Sequence, residues 1–150
     1  MKATECLNTE HGIFIIQLNI LKEMIEQKAS LNELRAAVKP IAAAVEKHRD
    51  VEDKLLYPVI LKECGKDFSP IKVMQKEHDE ITAYLKEIES PALASDDPVK
   101  KFIRVLSEHI DKEIKILFPM IEETLSCEEL EAIAKTCDEK NCCGGCNNNK

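Results

Sequence analysis

Apolar residues recur every three or four positions along most of the chain, which is the spacing of one face of an α-helix. The pattern predicts four long helices and a short fifth one, and no segment alternates apolar and polar residues long enough to predict a strand. The predicted helices cover roughly residues 8 to 28, Ser30 to near Gly65, Ser69 to about Ile88, Asp97 to about Met120, and Ser126 to about Cys137. Few residues connect them, so we predict an all-α fold, an up-down-up-down four-helix bundle with a short C-terminal helix.

Local sequence signals support these helices. Ser30 is followed three residues later by Glu33, a capping-box pattern that begins a helix. Prolines lie inside two of the helices, and we expect each to kink its helix. They are Pro40 and Pro58 in helix two and Pro119 late in helix four. On the first helix, the predicted buried stripe comprises His11, Phe14, Ile15, Leu18, Leu21 and Ile25.

The composition fits one domain, because the chain has 150 residues of which 44% are hydrophobic and 33% charged. We place this domain at residues 1–137 and a flexible cysteine-rich tail at residues 138–150. A net charge of −7 without a cluster of basic residues argues against nucleic-acid binding. The apolar runs are short and the first residues lack a signal-peptide stretch, so we expect a cytoplasmic protein without a membrane segment.

The four histidines of the chain belong to one repeated scheme. His48 and Glu52 form a His-x3-Glu pair, as do His109 and Glu113. A spacing of four residues on an α-helix turns about 40° past one revolution and rises about 6 Å, so each pair points from one helix face. Helices one and three each supply one further histidine on a predicted buried face. The chain therefore contains an internal repeat of a two-helix unit.

A single histidine on an apolar helix face is usually a hydrogen-bonded core residue. Two glutamates on the same apolar faces change this interpretation, because a buried carboxylate is costly unless it is paired or bound to a cation. Four imidazoles and two carboxylates that face one interior are most simply explained by metal binding. The candidate ligands are His11, His48, Glu52, His78, His109 and Glu113.

The ligand set also indicates which metal is bound. Two carboxylates can bridge two cations that carry two imidazoles each, which gives every metal four protein ligands of mixed nitrogen and oxygen type. Octahedral iron keeps open positions for a solvent-derived oxo or hydroxo bridge and for one exogenous ligand such as O2. A single structural zinc needs only four ligands and would leave two of the six residues buried without a purpose. We therefore predict two iron ions, with manganese as the alternative.

Roughly residues 8 to 125 resemble the hemerythrin-like proteins, or HHE cation-binding domains, in the order and spacing of these six residues. Leu56-Tyr57-Pro58 and Leu117-Phe118-Pro119 are also similar to the aliphatic-aromatic-proline sequence of that family. The resemblance implies a non-haem di-iron centre bridged by Glu52 and Glu113. It also implies a small exogenous ligand such as O2 or NO.

The chain differs from the oxygen-carrying hemerythrins in two respects. Those proteins have a fifth histidine on the third helix, whereas this chain has Met74 and Thr82 at four residues from His78. They also place an aspartate at five residues where this chain has Glu113 at four. The differences favour the bacterial four-histidine group, which includes proteins implicated in iron-centre repair and in sensing of O2, NO or iron. Four nearby polar residues are close enough in sequence to contact a ligand or to add one, although such residues more often lie on the surface or in ordinary packing. They are Asp53, Glu77, Glu80 and Tyr84.

Cysteines are concentrated towards the C-terminus. Cys143 and Cys146 form a Cys-x2-Cys pair, which can bind a soft metal or cycle between dithiol and disulfide. The alternative is a flexible tail whose thiols have no specific partner, and both interpretations stay open. The cluster comprises Cys127, Cys137, Cys142, Cys143 and Cys146.

Two functional classes fit these features. The first is a protein that binds or senses O2, NO or iron at a carboxylate-bridged di-iron centre. The second is an oxidoreductase or iron-centre repair protein that uses the same centre with the C-terminal cysteines as a relay. A storage role fits less well, because two metals per chain make a poor store. Binding and catalysis both remain open at this point.

Overall fold

The computed structural model describes residues 1–139, and these residues form helices and short connections without a strand. The all-α prediction is therefore confirmed. The helices are α1 (Ala3–Glu26), α2 (Leu31–Val51), α3 (Tyr57–Cys64), α4 (Ser69–Glu89), α5 (Asp97–Lys112), α6 (Phe118–Thr124) and α7 (Cys127–Glu139). A π-helical turn joins α2 to α3 at Glu52–Leu56 and α5 to α6 at Glu113–Leu117, so each of these pairs is one continuous helix.

The first helix begins five residues earlier than predicted, at Ala3. The reason is a cap formed by Lys2, whose backbone N–H donates to the Glu5 carboxylate at 2.8 Å. The predicted burial of Ile15 is wrong, since its side chain is 42% exposed. Ile15 directly follows the buried Phe14, and one residue turns a helix by about 100°, which rotates this side chain out of the stripe.

The bundle interior contains two apolar clusters, one at each end. The α7-side cluster includes Leu7, Val51, Met74, Phe118 and Leu130. The far cluster includes Leu18, Val38, Ile81, Ile88 and Phe102. Both α1 and α4 run from the α7-side cluster to the far cluster. Both α2 and α5 run in the opposite direction, from the far cluster back to the α7-side cluster. Consecutive long helices are therefore antiparallel, as in the predicted up-down-up-down bundle.

The two π-helical turns lie at equivalent positions of the internal repeat. Each begins at the glutamate of a His-x3-Glu pair and ends immediately before an aromatic-proline dipeptide. The backbone N–H of Tyr57 donates to the carbonyl of Glu52, five residues back, and Phe118 does the same towards Glu113. Because proline at the next position has no N–H to donate, the wider turn costs little backbone hydrogen bonding. At Pro58 and Pro119, where we expect kinks, the structure thus has a π-helical turn directly before the aromatic-proline dipeptide, whereas Pro40 lies within the unbroken α-helix α2.

The last helix closes the α7-side end of the bundle. It buries Leu130, Ile133, Ala134 and Cys137 in the α7-side cluster. Cys127 lies exposed at the beginning of this helix. The predicted cysteine-rich tail begins at residue 138, and its residues 140–150, with Cys142, Cys143 and Cys146, lie outside the described part of the chain. Among residues 1–139, no helix combines the length and apolar character needed to cross a membrane.

Candidate metal centre

The six candidate ligands all lie in the bundle interior, in a layer between the two apolar clusters. None of them is more than 5% exposed, and both glutamates are completely buried. α1 and α4 each supply one histidine, whereas α2 and α5 each supply one in their last turn, directly before a π-helical turn that begins with a glutamate. The structure therefore brings together the residues that the repeated sequence scheme singled out.

These side chains form two overlapping groups, and in each group the ligand-type atoms lie within 4.8 Å of one another. The first group contains His11 and His48, and the second contains His78 and His109. Glu52 and Glu113 belong to both groups. The internal repeat thus folds into two neighbouring four-residue sites that share both carboxylates.

The distances in each group suit a metal ion at its centre. Nε2 of His11 lies 3.1 Å from Nε2 of His48. Nε2 of His78 lies 3.2 Å from Nε2 of His109. Two ligand atoms bound at right angles to one metal at about 2.1 Å are about 3 Å apart. The imidazole pairs therefore stand at the separation expected of two ligands on one ion.

Each carboxylate places one oxygen in each group. The two oxygens of Glu52 lie 3.3 Å from Nε2 of His48 and 3.1 Å from Nε2 of His78. Those of Glu113 lie 2.9 Å from Nε2 of His11 and 3.3 Å from Nε2 of His109. This is the placement that a bridging carboxylate needs.

Among residues 1–139, both oxygens of Glu52 and the Oε2 atom of Glu113 are buried and accept no hydrogen bond. The imidazole Nε2 atoms lie 2.9 to 3.3 Å from the carboxylate oxygens of the two glutamates. Buried carboxylate oxygens without donors are rare, because desolvation of a charge is costly. The donor set and the unsatisfied oxygens therefore fit a pair of cations.

The outer ring nitrogen of each imidazole has a polar partner. These Nδ1 contacts join His11 to Asn8 at 3.3 Å, His48 to Glu10 at 2.6 Å, His78 to Asp53 at 3.1 Å and His109 to Glu77 at 2.9 Å. An Nδ1–H that donates to such a partner leaves the Nε2 lone pair free for a metal and fixes the orientation of the ring. All four imidazoles are thus held with Nε2 directed to the centre.

The sequence identified only some of these partners. For Asp53 and Glu77 the structure favours the alternative of a ligand partner over the more usual surface position, because both contact a ligand-type imidazole. Tyr84 does bond at the surface, with its hydroxyl donating to Glu80. Glu10 was missed. The internal repeat contained a signal for Glu10, because a glutamate directly precedes the histidine in both Glu10-His11 and Glu77-His78. Each of these glutamates contacts the histidine of the next long helix, since Glu10 contacts His48 and Glu77 contacts His109.

Two aromatic rings stack on imidazoles of the centre, one in each group of ligand-type residues. Tyr57 stacks on His78 with ring centroids 5.8 Å apart, and Phe118 stacks on His11 at 5.4 Å. These aromatic residues occupy equivalent positions of the repeat, but only Tyr57 carries a hydroxyl, which donates to Oε1 of Glu113 at 3.0 Å. Burial and the nearby charge of Glu52 hold the pKa of Tyr57 well above its usual range, so the phenol stays a neutral donor.

The buried carboxylates dominate the electrostatics of the layer. Burial lowers the pKa of His48, but the charge of Glu52 and the hydrogen bond to Glu10 outweigh it and raise this pKa to about 10. His109 behaves in the same way, with Glu113 as the main opposing charge and a pKa of about 10. Without a metal, the centre therefore attracts protons. The same negative potential favours cations, which displace those protons from the imidazoles.

A cavity of about 210 Å³ adjoins this layer between α2 and α4. It reaches three of the four imidazoles, those of His48, His78 and His109. Arg49 and Thr82 lie on its wall and are joined by a 2.6 Å hydrogen bond from the guanidinium to the hydroxyl. The cavity provides a path by which a small molecule can reach the centre.

Comparison with protein-family models identifies a match. The sequence model of the family described as hemerythrin HHE cation binding domain matches residues 2–121, a range that contains all six candidate ligands. No curated protein and no solved structure matches the chain significantly.

Proposed function

The chain belongs to the hemerythrin HHE cation-binding domain family, and on this basis we propose that it binds a small exogenous ligand such as O2 or NO at a non-haem di-iron centre. His11 and His48 hold one iron, and His78 and His109 hold the other. Glu52 and Glu113 bridge the two. The observation that carries this proposal is that both carboxylates are shared between the two groups of ligand-type atoms.

The number and type of ligands favour iron. Each position offers two imidazole nitrogens and two carboxylate oxygens, a mixed set that suits iron, with manganese second. Such a set leaves an octahedral iron with free positions, at which it can bind O2 or NO. The protein itself orients the imidazoles, excludes bulk water from the layer and leaves the cavity between α2 and α4 as the approach. The alternative role in oxidation or repair uses the C-terminal cysteines as a relay, and three of these, Cys142, Cys143 and Cys146, lie outside the described residues.

We predict that the protein reconstituted anaerobically with ferrous iron carries about two iron atoms per chain. Metal analysis after removal of excess iron measures this ratio, and the reduced protein is then mixed with O2 or NO while its visible absorption is recorded. A new absorption that reaches its maximum at one ligand per di-iron centre is the expected result. Iron binding that saturates at one equivalent, or a preference for zinc in iron-rich medium, contradicts the di-iron assignment.

The two metal positions are unequal in their outer contacts. The Nδ1 atoms of His78 and His109 both contact carboxylates, those of Asp53 and Glu77. The Nδ1 atom of His11 contacts the neutral amide of Asn8, and that of His48 contacts the carboxylate of Glu10. A carboxylate behind a ligating histidine increases the basicity of the imidazole, and loss of such a partner typically costs about 10- to 100-fold in metal affinity.

We therefore predict that the position formed by His11 and His48 loses its metal first when a chelator is added. Asn8→Asp supplies the missing carboxylate and should slow the loss of this first metal about tenfold. Stopped-flow chelation measures the two phases, and anomalous scattering from half-depleted crystals identifies the emptied position. Asn32→Asp, at a residue on the outside of α2 that contacts Arg35, is the matched control. Equal rates for both metals in the native protein, or no change with Asn8→Asp, would show that the outer contacts do not set the affinity.

A further inference from the structure

The cavity between α2 and α4 is larger and more apolar than a path for O2 or NO requires. Its walls come from all four long helices and include Phe14, Val45, Ile81, Leu85, Leu106 and Ile110. Its inner end is formed by the imidazoles of His48, His78 and His109. Phe14 also meets His48 edge to face, with ring centroids 5.3 Å apart. The space is thus a chamber with largely apolar walls and three imidazoles at its inner end.

The mouth of the chamber selects against charged ligands. Glu46, Lys86 and Glu89 are exposed there, together with the half-buried Arg49. The guanidinium of Arg49 is already engaged, with Nε donating to Asp53 at 2.9 Å and Nη1 to the Thr82 hydroxyl. Two glutamates and one lysine remain at the mouth, a net charge of −1 that repels an anion, and any ion inside the apolar walls would lose its hydration.

The volume indicates the size of the molecule that fits. The chamber measures about 210 Å³. A cavity of about 150 Å³ lined by leucine, isoleucine and phenylalanine stays dry and binds benzene. One water molecule occupies about 30 Å³ in liquid water, so the chamber is much larger than a single water site. We propose that the chamber is a binding site for an uncharged apolar organic molecule of about the size of benzene or toluene. Such a molecule lies against the imidazoles, next to the position of the exogenous ligand.

Binding of this molecule does not depend on a metal. Its affinity comes from apolar contact with the chamber walls, which are present whether or not the centre is loaded. In the loaded protein, the bound molecule also blocks the approach between α2 and α4 and slows the reaction of the centre with NO. The slower reaction with NO rests on the proposed function, whereas the binding of the apolar molecule does not.

Titration of the metal-free and the metal-loaded protein with benzene tests the proposal, with methyl NMR signals as the readout. We expect saturable shifts of the methyl groups of Ile81, Leu106 and Ile110, and no shifts for Ile60 and Leu130 in the α7-side cluster. Benzoate has the same ring with a charge and should not bind. Absence of saturable shifts, equal shifts in both clusters, or equal binding of benzoate would overturn the proposal.

A pair of neighbouring alanines supplies matched variants. Ala42 lies on the chamber wall, whereas Ala43 is exposed on the same helix and does not line the chamber. Ala42→Phe should fill the space and weaken benzene binding by at least about tenfold, or about 1.4 kcal/mol, and Ala43→Phe should leave it unchanged. Equal affinity in the two variants means that benzene binds elsewhere. If Ala42→Phe does not fold, the methyl shifts of the native protein still decide the question.

Binding of benzene without any slowing of the NO reaction would contradict only the blocked approach.

Discussion

Replacement of Glu52 or Glu113 by alanine is expected to remove both metal ions together. Each carboxylate has one oxygen in each group of ligand-type atoms, so its loss takes one ligand from both positions at once. It also removes the negative charge that the two cations share in a buried layer. Loss of a mere outer partner typically costs about 10- to 100-fold in metal affinity, and loss of a direct ligand from both ions should exceed about 100-fold at each position.

Metal analysis of the variants after gel filtration, together with their visible spectra, measures this effect. His11→Ala is the informative comparison, because it removes a ligand from one position and should leave the ion at His78 and His109 bound. Glu108→Ala is the matched control, since Glu108 is an exposed glutamate on the same helix as His109 and contacts Arg104 at the surface. A variant Glu113→Ala that retains two metals would show that this residue is not a bridge.

The helical bundle and the layer of six candidate ligands were accessible to sequence reasoning because both depend on short-range periodicity. A spacing of four residues fixes His48 and Glu52 on one face of a helix, whatever the rest of the chain does. The alternation of apolar residues along α1, α2, α4 and α5 fixes which faces meet in the interior. Convergence of the layer then follows from the antiparallel order of four helices joined by short connections.

The partners of the imidazole Nδ1 atoms could not be predicted from the periodicity of the sequence. Glu10 contacts His48 and Glu77 contacts His109, and these pairs are separated by more than thirty positions along the chain. Such contacts depend on the rotation and axial shift of one helix against the next, which periodicity leaves undetermined. Asp53 illustrates the same limit, because the π-helical turn that begins at Glu52 changes the direction of the residues that follow it.

The two π-helical turns also explain how equivalent sequences produce unequal halves. Each turn places an aromatic ring over one imidazole of the neighbouring unit, so Tyr57 covers His78 and Phe118 covers His11. The hydroxyl of Tyr57 reaches Glu113, whereas Phe118 has no hydroxyl to offer Glu52. Asp53 adds a carboxylate to one half, and the equivalent residue in the other half is Ile114. A repeat that is symmetric in its ligands is thus asymmetric in its surroundings.

Removal of the metals should lower the thermal stability of the protein substantially. A layer of two buried carboxylates and four imidazoles interrupts the apolar interior, and without metals it is compensated only by protons and ion pairs. A ligand that binds only the folded state at about 1,000 times its dissociation constant adds about 4 kcal/mol, so two positions add about 8 kcal/mol. For a chain of this size each 1 kcal/mol shifts the midpoint by about 2 to 4 °C, and the expected shift is about 15 to 30 °C.

Calorimetry of the metal-loaded protein and of the same sample after dialysis against a chelator measures this shift. The double variant Glu52→Gln and Glu113→Gln keeps the shape of both side chains but removes their charge, so its midpoint should not respond to iron. Its midpoint without metal should stay close to that of the metal-free native protein, because the carboxylates are what raise the pKa values of His48 and His109, and without them the buried imidazoles lose their protons and leave no unpaired charge. An equal iron-dependent shift in the native protein and the double variant would mean that the stabilising metal binds outside this layer. A native protein whose midpoint is unchanged by chelation would show that the layer is a polar network of the core, held by protons alone.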